Sequence, residues 1–458
     1  MATISSTGIG SGLDIDSLVS KLVAAERSAG QTRIDNKKTT LTQQFSAMAT
    51  LMGGMSAFQA SLNSLVSAGS FNSRSVSLSD DAAFTAKASS SAAAGSYDVQ
   101  VEQLAKASQL GSQEFATAST KVGTGTLTIS VGTNSFNIEV ADGANSVANI
   151  RDAINKSAAN TGVQASLLTD VKGTHLVLTS EKTGVDHALK VTTSGGDGGL
   201  QKLVYDPGGT KNMELRSEAK DAIVFVSGYE IHSNSNTVSN AIEGVTLTLK
   251  APTAVDSSVQ LNVDRDDAAI QDAAKKFVDS YNSLASTIKS LGKYDVGTNT
   301  GGPLLGDAML RNIDSQVRKL ISTPVAGVAG NYTTVASLGI TTQADGSLKL
   351  DADKFKTALN ANPGAVSDIF TSSNGVAVKL ADFMGTKTSA TGEVTTRSSN
   401  ITDTLVDLKD QQDALDARMK VVQDRYYKQF NALDTLLAQM HTTANSLDSW
   451  LSSNNNKS

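Results

Sequence analysis

Between Ile401 and Leu451 there is no Pro and no Gly, and apolar residues recur at alternating spacings of three and four. From Leu405 the pattern runs through Leu408, Gln412, Leu415, Met419, Val422, Tyr426, Gln429, Leu433, Leu436, Met440, Thr443, Leu447 and Trp450, and only Gln412, Gln429 and Thr443 interrupt it. A repeat of 3.5 residues held over about seven heptads predicts one long helix that needs a partner helix. A second seam follows Gly30, through Ile34, Lys38, Leu41, Phe45, Met48, Met52, Met55, Gln59, Leu62 and Val66. Ahead of it, Asp14 or Asp16 can cap a short first helix carrying Leu18, Leu22 and Val23 and bounded by Gly30. The pair Gly53-Gly54 weakens a helix by about 1 kcal/mol per Gly relative to Ala, so a break or bend is expected there.

The middle of the chain changes period. Arg74–Leu78 and Tyr97–Val101 alternate as strands do. Residues 125–140 read as a hairpin turning at Gly132-Thr133-Asn134, and 146–162 as a helix capped by Ser146 and ended at Gly162. Residues 163–184 read as a second hairpin turning at Lys172-Gly173, so 123–191 should form a ββαββ lobe with one helix on an antiparallel sheet. Strand-like sequence resumes at 222–231 and 244–252, and the acidic run from Asp264 to Asp267 opens a helix carrying Ile270, Phe277, Tyr281, Leu284 and Ile288 on one face.

The expected fold class is therefore α+β multidomain. The N- and C-terminal helices pair as a coiled-coil leg, and antiparallel β and α+β head domains are inserted between them. The expected boundaries are a terminal flexible helical region of 1–40 with 430–458, and a leg of 41–70 with 266–429. A β head domain takes 71–112 with 200–265, and an inserted α+β head domain takes 113–199. The leg seam would use Leu41, Phe45, Met48, Met52, Met55 and Leu62 against Leu405, Leu408, Leu415, Met419, Val422 and Tyr426. Residues 1–14, small and rich in Gly, should be disordered in the isolated chain.

Composition narrows the function classes. Aromatic residues make up 5% of the chain and Trp occurs once, which leaves modest apolar area for one large core and favours long helices with thin β layers. The formal charge of −6, with both signs interspersed, offers no basic face for nucleic acid. Cys is absent, which excludes disulfides and Cys-based metal sites. The N-terminus lacks the basic and apolar regions of a secretory signal peptide, so export, if it occurs, is expected by a route that does not read one.

Candidate chemistry is sparse. The four histidines, His175, His187, His232 and His441, have no metal-ligand spacing. There is no Gly-x-Ser-x-Gly elbow, and Gly292-Lys293 is followed by Tyr294 rather than the Ser or Thr of a phosphate-binding loop. Gly8-Ile9-Gly10-Ser11-Gly12 follows no strand and lacks the dinucleotide spacing. Asp80-Asp81 and Asp266-Asp267 suit turns and helix starts, and Tyr426-Tyr427 suit packing. The chain is expected to be no enzyme, with no cofactor and no metal.

Four stretches resemble the flagellar hook-associated protein 2 family, the filament caps. They are GIGSGLDIDSLVSKLVAAER at the start, SVANIRDAINKSAANTGVQASLLTDVKGTHLVLTSEKTG in the middle, LGITTQADGSLKLDADKFKTALNANPGAVSDIF, and RYYKQFNALDTLLAQM near the end. GVTLTLKAP and FVDSYNSL resemble its return from head to leg. One departure is Ser28-Ala29-Gly30, where the family often has Pro. The resemblance implies an extracellular protein at the distal filament tip, exported unfolded by the flagellar apparatus without a cleaved signal peptide. It implies a closed ring of copies that lets flagellin fold and insert. Its implied partners are flagellin, a hook-associated junction protein and a cytosolic export chaperone. On this reading the surplus stripe of Phe430, Leu433, Leu436, Leu437, Met440, Leu447 and Trp450 meets chaperone and flagellin. Two alternatives remain open: another axial flagellar component, or an adhesin whose Ser/Thr/Asn-rich head binds host mucin or other glycans.

Overall fold

The computed structural model describes residues 12, 14–295, 297, 299–328 and 330–455. The expectation for 1–14 falls almost wholly outside them, as do residues 456–458. The chain divides into two compact units, residues 72–270 forming one and residues 1–71 with 271–458 the other.

Elements are numbered in chain order. Helix α1 (Ile15–Ser67) leads into strands β1 (Arg74–Leu78), β2 (Phe84–Ala88), β3 (Gly95–Gln103), β4 (Ala107–Gly111), β5 (Gly125–Val131) and β6 (Asn134–Val140). Helix α2 (Val147–Lys156) precedes β7 (Val163–Thr169), β8 (Thr174–Thr183), β9 (Leu189–Ser194) and β10 (Glu214–Ser217). The run closes with β11 (Ala222–Val226), β12 (Tyr229–Ser233), β13 (Thr237–Ile242), β14 (Val245–Leu249) and β15 (Val259–Arg265). The helices that follow are α3 (Asp267–Gly292), α4 (Ala308–Ser322), α5 (Ala352–Ala361), α6 (Pro363–Thr371), α7 (Val376–Thr388) and α8 (Glu393–Asn455).

In the unit of residues 72–270, a five-stranded sheet of order β1-β15-β3-β11-β12 and a three-stranded sheet β13-β14-β2 share one core of Phe84, Val99, Val101, Val224, Leu247 and Leu261. Each strand contributes alternate residues to it, the period-two rule at work. A second core, with Leu127, Ile129, Ile150, Ile154, Leu176 and Leu178, lies with α2 and two further sheets, β10-β4-β8-β7 and β6-β5-β9.

This corrects the expected single-sheet ββαββ lobe. The two hairpins form and pair internally, but each joins a different sheet. Alternation identifies a strand and its buried face, and says nothing about which edge it joins. The second core also takes in Leu110, Leu200, Tyr205 and Met213, which lie beyond the expected 113–199 limits. Helix α2 starts where expected, with Ser146 Oγ accepting from the Asn149 N–H at 3.2 Å. It ends at Lys156 rather than Gly162. Asn160 closes the gap: its amide donates to Ile154 O and Val163 O, and its Oδ1 accepts from the Gly162 and Val163 N–H groups.

In the other unit, α1 is one uninterrupted helix of 53 residues through Gly30, Gly53 and Gly54. The expected break is absent for a physical reason. Gly54 packs against Leu284 and Thr287 of α3, so tertiary contact outweighs a propensity cost of about 1 kcal/mol per Gly. The aromatic centre stacks Phe71 on Phe370 at 4.1 Å between centroids, with Phe277 edge-on to Phe370 at 5.2 Å. Tyr281 meets Phe58 edge-on, and its buried hydroxyl donates to Gly346 O at 2.9 Å. Burial pushes the Tyr281 phenol pKa up.

Candidate functional site

The helix pair α1–α8 uses the C-terminal seam, but not with the expected partner. Arg27 ion-pairs with Asp416. Gln31 Nε2 donates to Gln412 Oε1 at 2.8 Å, and Gln412 Nε2 donates back to Gln31 Oε1 at 3.0 Å. Glu26 accepts from the Tyr426 hydroxyl at 3.3 Å and faces Arg425 at 3.9 Å. A hydrogen bond from Tyr427 to Asp16 raises the Tyr427 pKa. Rising numbers on one helix thus meet falling numbers on the other, so the pairing is antiparallel.

The first half of α1, not residues 41–66, is therefore the partner of Leu408–Tyr427. Gly30 sits in this seam rather than ending a helix. A Cβ there would lie 3.3 Å from Leu415 Cδ1, so the missing side chain lets the two backbones close up. The second half of α1 packs elsewhere. Phe58 meets Tyr281 of α3, and Gln59 donates to Ala381 O of α7 at 3.1 Å.

The placement of each expected seam residue follows from this. On α1, Met48, Met55 and Leu62 are buried, Leu41 and Met52 are half-buried, and Phe45 is exposed. Every second position of that seam lies one residue off the buried face, which runs instead through Leu51, Phe58 and Leu65. Helix α1 packs there on α3 and α7, so its buried face is turned relative to a two-helix seam. On α8, Leu408, Met419 and Val422 are buried, and Leu405, Leu415 and Tyr426 are half-buried. Gln412, read only as an interruption, is half of the reciprocal amide pair.

The pair predicts a double-mutant outcome. Gln412→Leu removes both inter-helix amide bonds and leaves Gln31 only its partners Arg27 and Asp35 on its own helix, so it should destabilise this unit by about 1 kcal/mol, whereas Gln31→Leu with Gln412→Leu together should recover most of the loss. Thermal melts of the three variants check it, and a double variant no better than the single would contradict it.

Past the pairing with Asp16, α8 continues from Phe430 to Asn455, about 26 residues or roughly 39 Å of helix. Phe430 and Leu437 are half-buried, while Leu433, Leu436, Met440, Leu447 and Trp450 are exposed. The contrast along one helix is large: Leu408 keeps 2% of its surface accessible and Trp450 62%. Among residues 441–452 none is even half-buried. An apolar stripe on one face of a projecting helix is the form in which a helix is offered to a groove or a second helix.

The histidines do not gather. His175 Nδ1 lies 2.9 Å from Ser112 O and His187 Nδ1 2.9 Å from Thr183 O, while His232 pairs with Glu230 and His441 is exposed on α8. A cleft of about 650 Å³ beside His175 carries Glu114, Asp170, Lys172, Lys211 and Arg216, and the Ser112 hydroxyl that also lines it donates to Gln113 O and accepts from the Leu176 N–H. Asp170 there is held below the usual carboxylate range, first by the Lys172 N–H and also by His175. Among the described residues, no group of three or more metal-ligating side chains could hold an ion, and no helix is long and apolar enough to cross a membrane.

Comparison with known proteins settles the family. Residues 11–108 match the family model for the flagellar hook-associated protein 2 N-terminus, and residues 219–442 match that for its C-terminus. The B-type flagellar hook-associated protein 2 of Pseudomonas aeruginosa is 34% identical over 95% of this chain and 94% of its own length. The chain belongs to the flagellar hook-associated protein 2 family. The family member from Escherichia coli is 33% identical over the full length of both chains. Residues 126–182, covering β5 to β8 with α2, match the flagellin hook IN motif. A crystal structure of the D1-D2-D3 domains of the flagellar cap protein FliD from Escherichia coli aligns with a TM-score of 0.69 at 32% identity, covering 78% of this chain and 99% of that one. The N-terminal family match spans α1 and its glycines, and the C-terminal match ends inside the projecting part of α8.

Proposed function

We propose that the chain caps the distal end of the bacterial flagellar filament as a homo-oligomer and assists the insertion of flagellin. The single observation that carries this is family membership over essentially the whole chain, and the projecting stripe of α8 supports it. A stripe of Leu433, Leu436, Met440, Leu447 and Trp450 in water is a standing source of binding free energy. Burying each such side chain contributes about 1.5–3 kcal/mol before the entropic costs of association. In the cell, an export chaperone of groove-bearing type would cover the stripe. Outside, flagellin helices at the tip, and a hook-associated junction protein before the first flagellin arrives, would take its place. Work at the tip is then driven by flagellin folding and burial, with no nucleotide chemistry. The copies would close into a ring, so that their projecting helices reach successive flagellin positions.

Loss of the chain tests this. Cells lacking it should shed unpolymerised flagellin into the medium and carry few or no filaments, measured by immunoblot of the culture fluid and by microscopy. Filaments of normal number and length would contradict the reading.

A further inference from the structure

In an antiparallel ladder alternate residues turn their N–H and C=O outward, and an edge strand leaves that row open to a strand from another chain. The sheets of residues 72–270 end in β1 and β12, β13 and β2, β10 and β7, and β6 and β9. All but two of these edges carry a charged side chain: Arg74 on β1, Lys87 on β2, Glu139 on β6, Lys190 on β9, Glu214 on β10 and Glu230 on β12. Strand β13 has no charge but is broken by a register irregularity between Val238 and Ile242. Charges and bulges are the ordinary means of discouraging a second strand. Strand β7 has neither. It reads Val163-Gln164-Ala165-Ser166-Leu167-Leu168-Thr169 and pairs with β8 in unbroken register.

The register identifies the outward row of β7. The Asp170 N–H donates to Gly173 O, so Gln164, Ser166 and Leu168 point their backbone groups at β8, while Val163, Ala165, Leu167 and Thr169 turn theirs away. Two asparagines cover the first half of that row. Asn155, near the end of α2, donates to Ala165 O at 2.8 Å and accepts from the Ala165 N–H at 2.8 Å. Asn160, in the loop that follows, donates to Val163 O at 2.7 Å and accepts from the Val163 N–H at 2.8 Å. Each side-chain amide presents one donor and one acceptor, as the backbone of a neighbouring strand would. Asn155 is an exposed residue of a helix, where Ala, Glu or Lys would serve the helix better. Its bonds to Ala165 are what Asn supplies there. Leu167 and Thr169 are the rest of the row, a shorter stretch than an ordinary strand.

We propose that Asn155 and Asn160 seal the edge of β7 against strand-to-strand pairing with a second copy of this chain. A second copy is what the seal keeps out, because a bare outward row is complementary to itself when two copies run antiparallel. Without Asn155, Ala165, Leu167 and Thr169 of one copy can lie opposite Thr169, Leu167 and Ala165 of another, each N–H facing a C=O. The uncharged side chains of β7 offer that pairing no repulsion. Copies held side by side meet at high local concentration, where an open edge is most prone to pair. The seal does not depend on the filament-cap reading, since it acts wherever copies meet.

Asn155→Ala in the full-length chain tests it. Ala favours the helix, so circular dichroism should report the parent fold. At low concentration the Ala165 N–H should exchange with solvent at least about tenfold faster than in the parent. In sedimentation velocity the variant should form larger species at concentrations at least about tenfold below those the parent requires, the change that two added backbone hydrogen bonds bring. Thr169 is exposed and its N–H points away from β8, so adding Thr169→Pro removes an outward donor without breaking the ladder. That second change should return sedimentation to the parent's. Unchanged exchange at Ala165, or faster exchange without added association, overturns the seal. Added association that Thr169→Pro leaves in place runs through another surface, and overturns it as well.

Discussion

Deleting residues 433–458 is expected to leave a chain with an unchanged thermal melt that no longer supports filament growth. The stability expectation follows from position. Residues 441–452 are exposed, and among the described residues the last buried side chains of α8 are Met419 and Val422, both inside the α1 pairing. Within 433–452 only Asp434, Leu437 and Ala438 are even half-buried, so removing this helix end costs the core little. The functional expectation follows from the stripe, because Leu433, Leu436, Met440, Leu447 and Trp450 are all lost at once. Counting filaments per cell beside a melt of the purified variant separates the two effects. A lowered melting temperature would show that the helix end packs on the chain's own core. Normal filaments would show that the working surface lies elsewhere.

Phe370→Ala is expected to have the largest effect on stability, about 3–5 kcal/mol. Its ring stacks on Phe71 and receives Phe277 edge-on, and all three are essentially inaccessible to water. The cavity would sit where the end of α1 and its following turn meet α3 and α6, three segments distant in sequence that cannot collapse together without moving long helices. Chemical denaturation monitored by far-UV circular dichroism should show the loss in the helical transition. A change below about 1 kcal/mol would mean the three rings are not a shared packing centre.

Much of this was legible in the residues, and the exceptions are instructive. The long C-terminal helix announced itself because Leu408, Met419 and Val422 keep a heptad with no Gly or Pro between them. The α1 seam was half legible. Met48, Met55 and Leu62 are buried, but Phe45 is exposed and Leu51, Phe58 and Leu65 fill the core instead, because α1 packs there on several helices and a single-seam template assumes one. Gly30 was misread as an end. Propensity counts what Gly costs a lone helix, and cannot register the close approach of Leu415 that makes Gly useful at that place. Strand positions around β5 to β8 followed from alternation, whereas their division between two sheets did not, since edge choice is decided by contacts with β4, β9 and β10.

The central claim is that this chain sits on one end of a flagellar filament. Purified, gold-labelled chain mixed with flagellar filaments whose distal ends are bare, and viewed by electron microscopy, tests it most directly. Label is expected at a single end of each filament, and the chain lacking residues 433–458 should leave that end unlabelled. Label scattered along the filament sides, or absent from the ends with the full-length chain, would contradict it.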